Sequence, residues 1–260
     1  MITTCIVSRW KNKKLVNLIK NLKEQSIKTN IKVYTDEFFE FDGVEIIHCK
    51  WKNVAEKRNL TIFETNSEYL FLVDDDNEIK DKDFLKKMLE TYKKIEKKHW
   101  ESIISVLMMW RNTDIIQSAG LKFCYLLWKV FANKKIKWEY WKVEGIWTNT
   151  LFGKTKYFQK AKFDKEIWFI REDIDYTYSL KENWVNLFVI NQRINHQEKD
   201  KDELEKSYIK WNLFYKKLKN RNLFVKKHWN ILQKLMYWSI WYWLWIIVWK
   251  YKRWKNYFLK

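Results

Sequence analysis

Three consecutive carboxylates, Asp74-Asp75-Asp76, follow an apolar run from Tyr69 to Val73. A strand that delivers carboxylates at its carboxyl end can hold a hard cation such as Mg2+ or Mn2+, because those ions want oxygen ligands. The cation can then bridge diphosphate oxygens and offset charge on a leaving group. The plain alternative is an acidic loop with no ligand. Three adjacent carboxylates repel one another, which favours a counter-cation.

A second acidic group, Glu172-Asp173-Ile174-Asp175, lies about a hundred residues later. A carboxylate there could take the proton from an attacking hydroxyl. The same residues also suit the first turn of a helix, where the dipole favours negative charge. His196, in Arg193-Ile194-Asn195-His196, follows a strand-like run. It reads as a metal or diphosphate ligand, or as a structural histidine. Lys57-Arg58-Asn59 sits in a helical stretch, either as cations that meet phosphate or base or as a solvated face.

These groups need elements to place them. Residues 2–7, 31–34, 44–47 and 69–73 read as strands, the first being an apolar, partly β-branched run. Helical spacing falls at 12–24, with Leu15, Leu18, Ile19 and Leu22, and at 53–65 and 81–98. That alternation predicts a parallel α/β sheet with ligands at the carboxyl ends of the strands. Beyond residue 100 the pattern changes. Short β-like runs at 102–107, 121–131, 136–143 and 148–153 predict a mixed or antiparallel half, closed by a helix at 172–182 and a strand at 186–190.

From 201 onward the chain reads as helical, basic and amphipathic to about 227. Residues 231–249 are almost wholly apolar, broken by Gln233 and Lys234 and followed by Lys250, Lys252, Arg253 and Lys255. This suits a membrane span, an interfacial helix or a helix packed on its own domain. The division is a domain at 1–200 and a basic helical tail at 201–260.

The 260 residues carry a formal charge of +19, spread along the chain and not gathered in one arm. Such a balance points to nucleic acid, anionic lipid or phosphorylated substrates. Cys5, Cys49 and Cys124 have no metal-ligand spacing and read as free thiols in a reducing compartment. No signal peptide is visible at the start.

One feature of the composition is abnormal: 18 Trp, 4 Gly and no Pro. Average usage would give about 18 Gly. Several Trp stand where the backbone wants glycine, among them Trp10, Trp51, Trp147 and Trp184, the last between a helix and a strand at the position after a helix end. The expectation is a gene that reads UGA as glycine, translated here with UGA as tryptophan.

The ordered set of motifs resembles glycosyltransferase family 2, inverting enzymes of the GT-A fold, over about residues 2–200. The resemblance rests on Asn53-Val54-Ala55-Glu56-Lys57-Arg58-Asn59, on Phe71-Leu72-Val73-Asp74-Asp75-Asp76, on the stretch Phe163 to Asp175, on Trp184 where the family has Gly, and on His196. It implies a GT-A, Rossmann-like mixed sheet flanked by helices, with the helical tail appended. It implies Asp173 as general base with Glu172 beside it. Asp36, Arg58, Asp74 and Asp75 would contact the donor. Asp74, Asp76 and His196 would hold Mg2+ or Mn2+. Gly145, Trp147 and Asn149 would lie in an acceptor-side loop. The implied donor is a nucleotide-diphospho-sugar and the acceptor a glycan or lipid-linked sugar. The expected setting is the cytoplasmic face of the cell membrane, touched by the tail, without nucleic acid. Two family segments are replaced: Ser8-Arg9-Trp10-Lys11-Asn12 stands for Pro-x-Tyr-Asn, and Thr35-Asp36-Glu37 for Asp-Gly-Ser.

Two rival classes remain at this stage. A basic, aromatic protein could bind nucleic acid or anionic membrane, but it has no use for the aspartate run. A nucleotidyltransferase could share the sheet and metal, but no Gly-rich phosphate loop is visible.

Overall fold

A computed structural model describes residues 1–110, 113–124, 129–167, 172–196 and 210–229, and single positions between 231 and 246. Its first strand, β1 (Ile2–Val7), is buried along its whole length. β2 (Asn30–Thr35) and β4 (Tyr69–Asp74) flank it in parallel, and β3 (Glu45–His48) pairs with β2 in parallel. A strand covered on both faces has no polar side to show, which explains the continuous apolar runs.

Side chains alternate across this sheet. Tyr69, Phe71 and Val73 of β4 enter one core with Ile2 and Ile6, while Leu70 and Leu72 enter another with Cys5 and Val7. Two helices cover the first face. In α1 (Lys13–Lys23), Leu15, Leu18, Ile19 and Leu22 are buried, and the Asn12 side chain caps it by accepting from the Leu15 N–H at 2.9 Å. α3 (Phe84–His99) brings Phe84, Leu85, Met88, Tyr92 and Ile95. The second face receives α2 (Val54–Phe63), α4 (Thr155–Phe158) and α5 (Glu172–Glu182). α2 starts on a reciprocal capping box between Asn53 and Glu56.

The other half is mixed, as expected. β11 (Thr150–Lys154) runs antiparallel between β4 and β6 (Ser102–Trp110). β12 (Asn186–His196) runs parallel to β6, with a register shift between Ile190 and Arg193. β10 (Tyr140–Lys142) closes that edge. Short strands β5 (Asn77–Glu78) and β7 (Ile116–Ser118) pair with β12 and β6, completing ten strands. β8 (Leu121–Cys124) and β9 (Lys129–Ala132) form a separate hairpin.

The structure departs from the sequence expectation in places. The run at 136–143 is strand only from Tyr140, because Lys134 to Glu139, Ile136 and Trp138 included, lie exposed and pack no face into the core. The strand expected at 186–190 continues to His196, which matters for the site. In the tail, α6 (Lys210–His228) is helical as expected. Most of 231–249 lies outside the described residues. No helix among the described residues is long and apolar enough to cross a membrane. Cys5 and Cys49 are buried free thiols, while the side chain of Cys124 lies outside the described residues.

Among the described residues, the non-glycine positions with positive φ are Trp51 (69°), Trp100 (55°) and Trp184 (64°). Trp184 occupies the left-handed position of a Schellman motif: its N–H donates to Lys181 O at 3.0 Å, and the Val185 N–H donates to Leu180 O at 3.0 Å. The three side chains are 89%, 79% and 86% exposed, so packing does not account for them. Glycine is the residue these backbones favour. This supports the expectation of reassigned UGA codons at these positions. Trp10 and Trp147, also named from sequence, have no positive φ. Trp184→Gly and Trp100→Gly should each raise stability by about 1 kcal/mol, the strain of a left-handed residue with a Cβ. Urea midpoints test this, and a fall in midpoint would count against it.

Candidate active site

The site forms where β1 and β4 end side by side, with Val7 in register with Asp74. Arg58 organises it from α2. Its Nη2 donates to both carboxylate oxygens of Asp74, at 3.0 and 2.8 Å, and its Nη1 donates to Glu172 Oε1 at 3.3 Å. The Arg58 side chain is 5% exposed and its guanidinium lies 5.5 Å from the Phe163 ring centre. Burial works against its charge, but Asp74 and Glu172 outweigh it and hold the guanidinium above its usual range. Next to it, the side chain of Asn59 donates to Phe163 O at 2.9 Å and accepts from Phe163 N at 2.8 Å. Three segments distant in sequence therefore meet on α2.

Asp173 begins α5 beside Glu172. It is 8% exposed, and its Oδ1 accepts the Ile174 N–H at 2.8 Å. Burial, then the Glu172 charge, push its carboxyl up to about 8, with Arg58 pulling the other way. Burial likewise raises Asp74, to about 6, against the pull of Arg58. A carboxyl poised near neutrality can accept a proton at working pH.

The other aspartates are divided between different tasks. Asp75 Oδ2 accepts from Ser8 Oγ and from Asn12 Nδ2, the latter at 3.0 Å, and so ties the β1–α1 loop to the end of β4. Asp76 lies 3.3 Å from His196 Nε2. The pairing of β5 with β12 sets this contact, since His196 is opposite Asn77. Asp36 forms an ion pair with Lys57 at 2.9 Å, and Lys57, buried, also donates to Ser8 O at 3.0 Å.

The expected acceptor-side residues spread along a path from the aspartates toward α5. Asn149 O accepts from the Asp74 N–H at 3.1 Å and from Asn77 Nδ2 at 3.2 Å, which places it against the aspartate run. Gly145 O accepts from Leu121 N at 2.8 Å. A Cβ on Gly145 would come within 3.1 Å of the Phe123 ring and 3.4 Å of Thr177 Oγ1 on α5. Trp147 packs, partly buried, against the cluster of Leu121, Phe123, Ile174 and Phe224.

Arg58, Asp74 and Glu172 are thus brought into direct contact, with Asp173 next along the chain, and Asp76 meets His196. Asp36 joins them through Lys57 and Ser8. Asn77 was not singled out by sequence, and Ser8, Asn12 and Lys57 were named there only within longer segments, without a partner. Lys57 and Asn12 carried a signal: one adjoins Arg58, and the other caps α1 just after a strand. Ser8 and Asn77 carried none, because their partners are distant in sequence.

Among the described residues, no three His, Cys, Asp or Glu side chains converge as a ready metal cage. Asp76 offers an oxygen donor of the kind Mg2+ and Mn2+ favour, with substrate oxygens and water left to complete a shell, and His196 adds a softer nitrogen donor beside it. Asp74 faces Arg58, one step behind.

A twisted mixed sheet with helices on both faces, and carboxylates at the ends of its parallel strands, is a GT-A-like α/β fold. Known structures bear this out. The chain is similar to S. aureus TarS residues 1–349 in complex with UDP-GlcNAc, with TM-score 0.56 and 14% identity over 87% of this chain and 66% of that one. For the same fragment with UDP, the TM-score is 0.50 at 14% identity, covering 74% and 60% of the two chains. A longer S. aureus TarS structure gives 0.51 at 14% identity, covering 74% and 36%. The chain thus spans between about a third and two thirds of the length of these proteins. At this identity the likeness speaks for the fold. No family model matches the sequence, and no curated protein matches it.

Proposed function

We propose that the chain is an inverting glycosyltransferase of the family 2 kind, which moves a sugar from a nucleotide-diphospho-sugar to a hydroxyl of a glycan or lipid-linked acceptor. The observation that carries this reading is Arg58, which joins the carboxylate at the end of β4 to the acidic start of α5. One buried cation thereby holds a donor-side carboxylate and the turn bearing a raised-pKa base in one frame. The complexes of S. aureus TarS with UDP and UDP-GlcNAc support a nucleotide-sugar as donor.

In this reading Asp173 takes the proton of the acceptor hydroxyl. The acceptor oxygen forms a bond to the anomeric carbon as the bond from that carbon to the diphosphate oxygen breaks, and the nucleoside diphosphate leaves with the electron pair. Asp36 and Asp74 serve the nucleoside side of the donor, while Asp75 fixes the loop of Ser8 and Asn12 beside it. Asp76 and His196, with Asp74 behind them, are the residues that would hold Mg2+ or Mn2+. Bound there, such an ion supplies charge neutralisation to the departing diphosphate. Gly145, Trp147 and Asn149 border the acceptor side. The basic tail and its apolar sequence suit contact with the anionic inner face of a membrane.

Hydrolysis of UDP-GlcNAc and related nucleotide-sugars in the presence of Mn2+ tests the reading. Asp76→Ala should weaken Mn2+-dependent UDP binding by at least tenfold, measured by calorimetry, and leave metal-free binding little changed. Tight, salt-sensitive nucleic-acid binding that Asp76→Ala leaves intact, without turnover of any nucleotide-sugar, would sink it.

A further inference from the structure

The acidic turn of α5 has a second buried carboxylate, Asp175, which the proposed chemistry does not use. Asp175 is fully buried. Its partners come from the end of α6, more than fifty residues later. Lys227 Nζ donates to Oδ2 at 2.8 Å, and His228 Nε2 lies 2.8 Å from Oδ1. His228 has a 1% exposed side chain, and its Nδ1 lies 2.7 Å from Glu182 Oε2 at the other end of α5. Lys227 also approaches Asp164 Oδ2 at 3.6 Å, next to the Phe163 that Asn59 holds by its backbone. Phe224, Val225 and Trp229 pack against Ile167 and Ile174 around these polar contacts.

Asp173 and Asp175 lie two residues apart, so on a helix they point about 200° from each other. Arg58 holds the α5 turn through Glu172 from the α2 side, and α6 holds it through Asp175 from behind. We propose that Lys227 and His228 are positioning residues for the base: they act on Asp173 through Asp175, and so make the tail helix part of the catalytic unit. This rests on the glycosyltransferase reading for the identity of the base. The physical reason is that a buried carboxylate must keep its partners. Without them Asp175 moves toward water, and that shifts the turn that carries Asp173. A displacement of about 1 Å in a reacting group can cost about a hundredfold in rate.

The test compares the full-length chain with the Lys227→Ala/His228→Ala double variant, and with Lys227→Arg and His228→Gln, which keep a donor to Asp175. Two readouts are taken: steady-state turnover of UDP-GlcNAc, and amide hydrogen exchange along 176–180. The double variant should exchange at least tenfold faster in α5 and no faster in β4. Its kcat should fall by about ten- to a hundredfold with donor KM within twofold, and the two conservative variants should recover most of the loss. Unchanged exchange in α5, or kcat within twofold of the parent, would overturn the proposal. So would a uniform rise in exchange across the sheet with no recovery by the conservative variants, which marks a merely structural contact. If the parent turns over no nucleotide-sugar, the glycosyltransferase reading fails, while the exchange result still judges the hold of α6 on α5.

Discussion

Arg58→Ala should abolish turnover and destabilise the protein by about 3–5 kcal/mol, the range expected when one partner of a buried ion pair is removed. The reason is geometric. The guanidinium forks onto Asp74 at 2.8 and 3.0 Å and reaches Glu172 at 3.3 Å, from a side chain only 5% exposed. Its loss leaves two carboxylates facing each other in a poorly solvated cleft. The effect should depend on pH in a definite sense. Asp74 and Asp173 already have folded-state pKa values above those of an exposed aspartate, and Arg58 is what lowers them. Without Arg58 both rise further, so the folded state binds more protons than the unfolded one over a wider range. Stability of the variant should then fall more steeply than that of the parent as pH rises from about 4 to 8, and the gap between them should be widest at the alkaline end. Chemical denaturation at pH 5 and pH 8 measures this. Arg58→Lys should retain the fold but lose about a hundredfold in kcat/KM, since an ammonium cannot present two parallel donors to Asp74 while reaching Glu172. Equal stability losses at both pH values would argue that Arg58 acts by packing alone.

How much of this site could be read in the sequence depends on the distance between partners. The end of β4 was legible, because five buried apolar residues leading into three aspartates admit few other readings. The start of α2 was legible through Asn53 and Glu56, whose capping box is local. The role of Arg58 was harder to see. Neighbouring Lys57 and Arg58 read as cations for phosphate or base or as a solvated face, and an internal ion-pair frame emerges only when Asp36, Asp74 and Glu172 are placed around them. His196 was found by order along the chain, but its contact with Asp76 depends on β5, a two-residue strand that no periodicity detects. The partners of Asp175 were invisible for the same reason: Lys227 and His228 read as the basic end of an amphipathic helix. In the fold, the parallel half was clear from its buried strands. The half after residue 110 was blurred, because exposed Lys134 to Glu139 interrupt the runs that mark strands. The tryptophans misled in one respect and informed in another. Trp51, Trp100 and Trp184 obscure turn signals that glycine would have given, yet their left-handed backbones locate those turns.

Asp173→Asn should lower kcat by about a thousandfold, within the usual contribution of a general base, and leave UDP affinity within about twofold. The amide keeps the size of the side chain and its capacity to accept the Ile174 N–H, so the turn should persist. What it loses is the ability to take a proton. The parent should show a matching pH profile. With the carboxyl of Asp173 pushed up to about 8 by burial and by Glu172, the active, ionised form is a minority at pH 6. Turnover should rise about tenfold per pH unit below that value and level off above it, and the residual rate of Asp173→Asn should lack this step. Stability should move the opposite way. A folded-state pKa above the unfolded value means that the folded chain gains proton affinity, so this group favours folding at low pH and withdraws that support as pH climbs toward 8. Asp173→Asn removes the buried charge, and the variant should therefore be more stable than the parent at pH 8, by a margin that narrows as pH falls and closes below about pH 4, the range of an unfolded aspartate. Gaining stability while losing turnover at a single carboxylate is the signature of a group buried for chemistry at a cost to the fold. A variant that loses both at every pH would instead place Asp173 among the structural carboxylates of α5, beside Asp175.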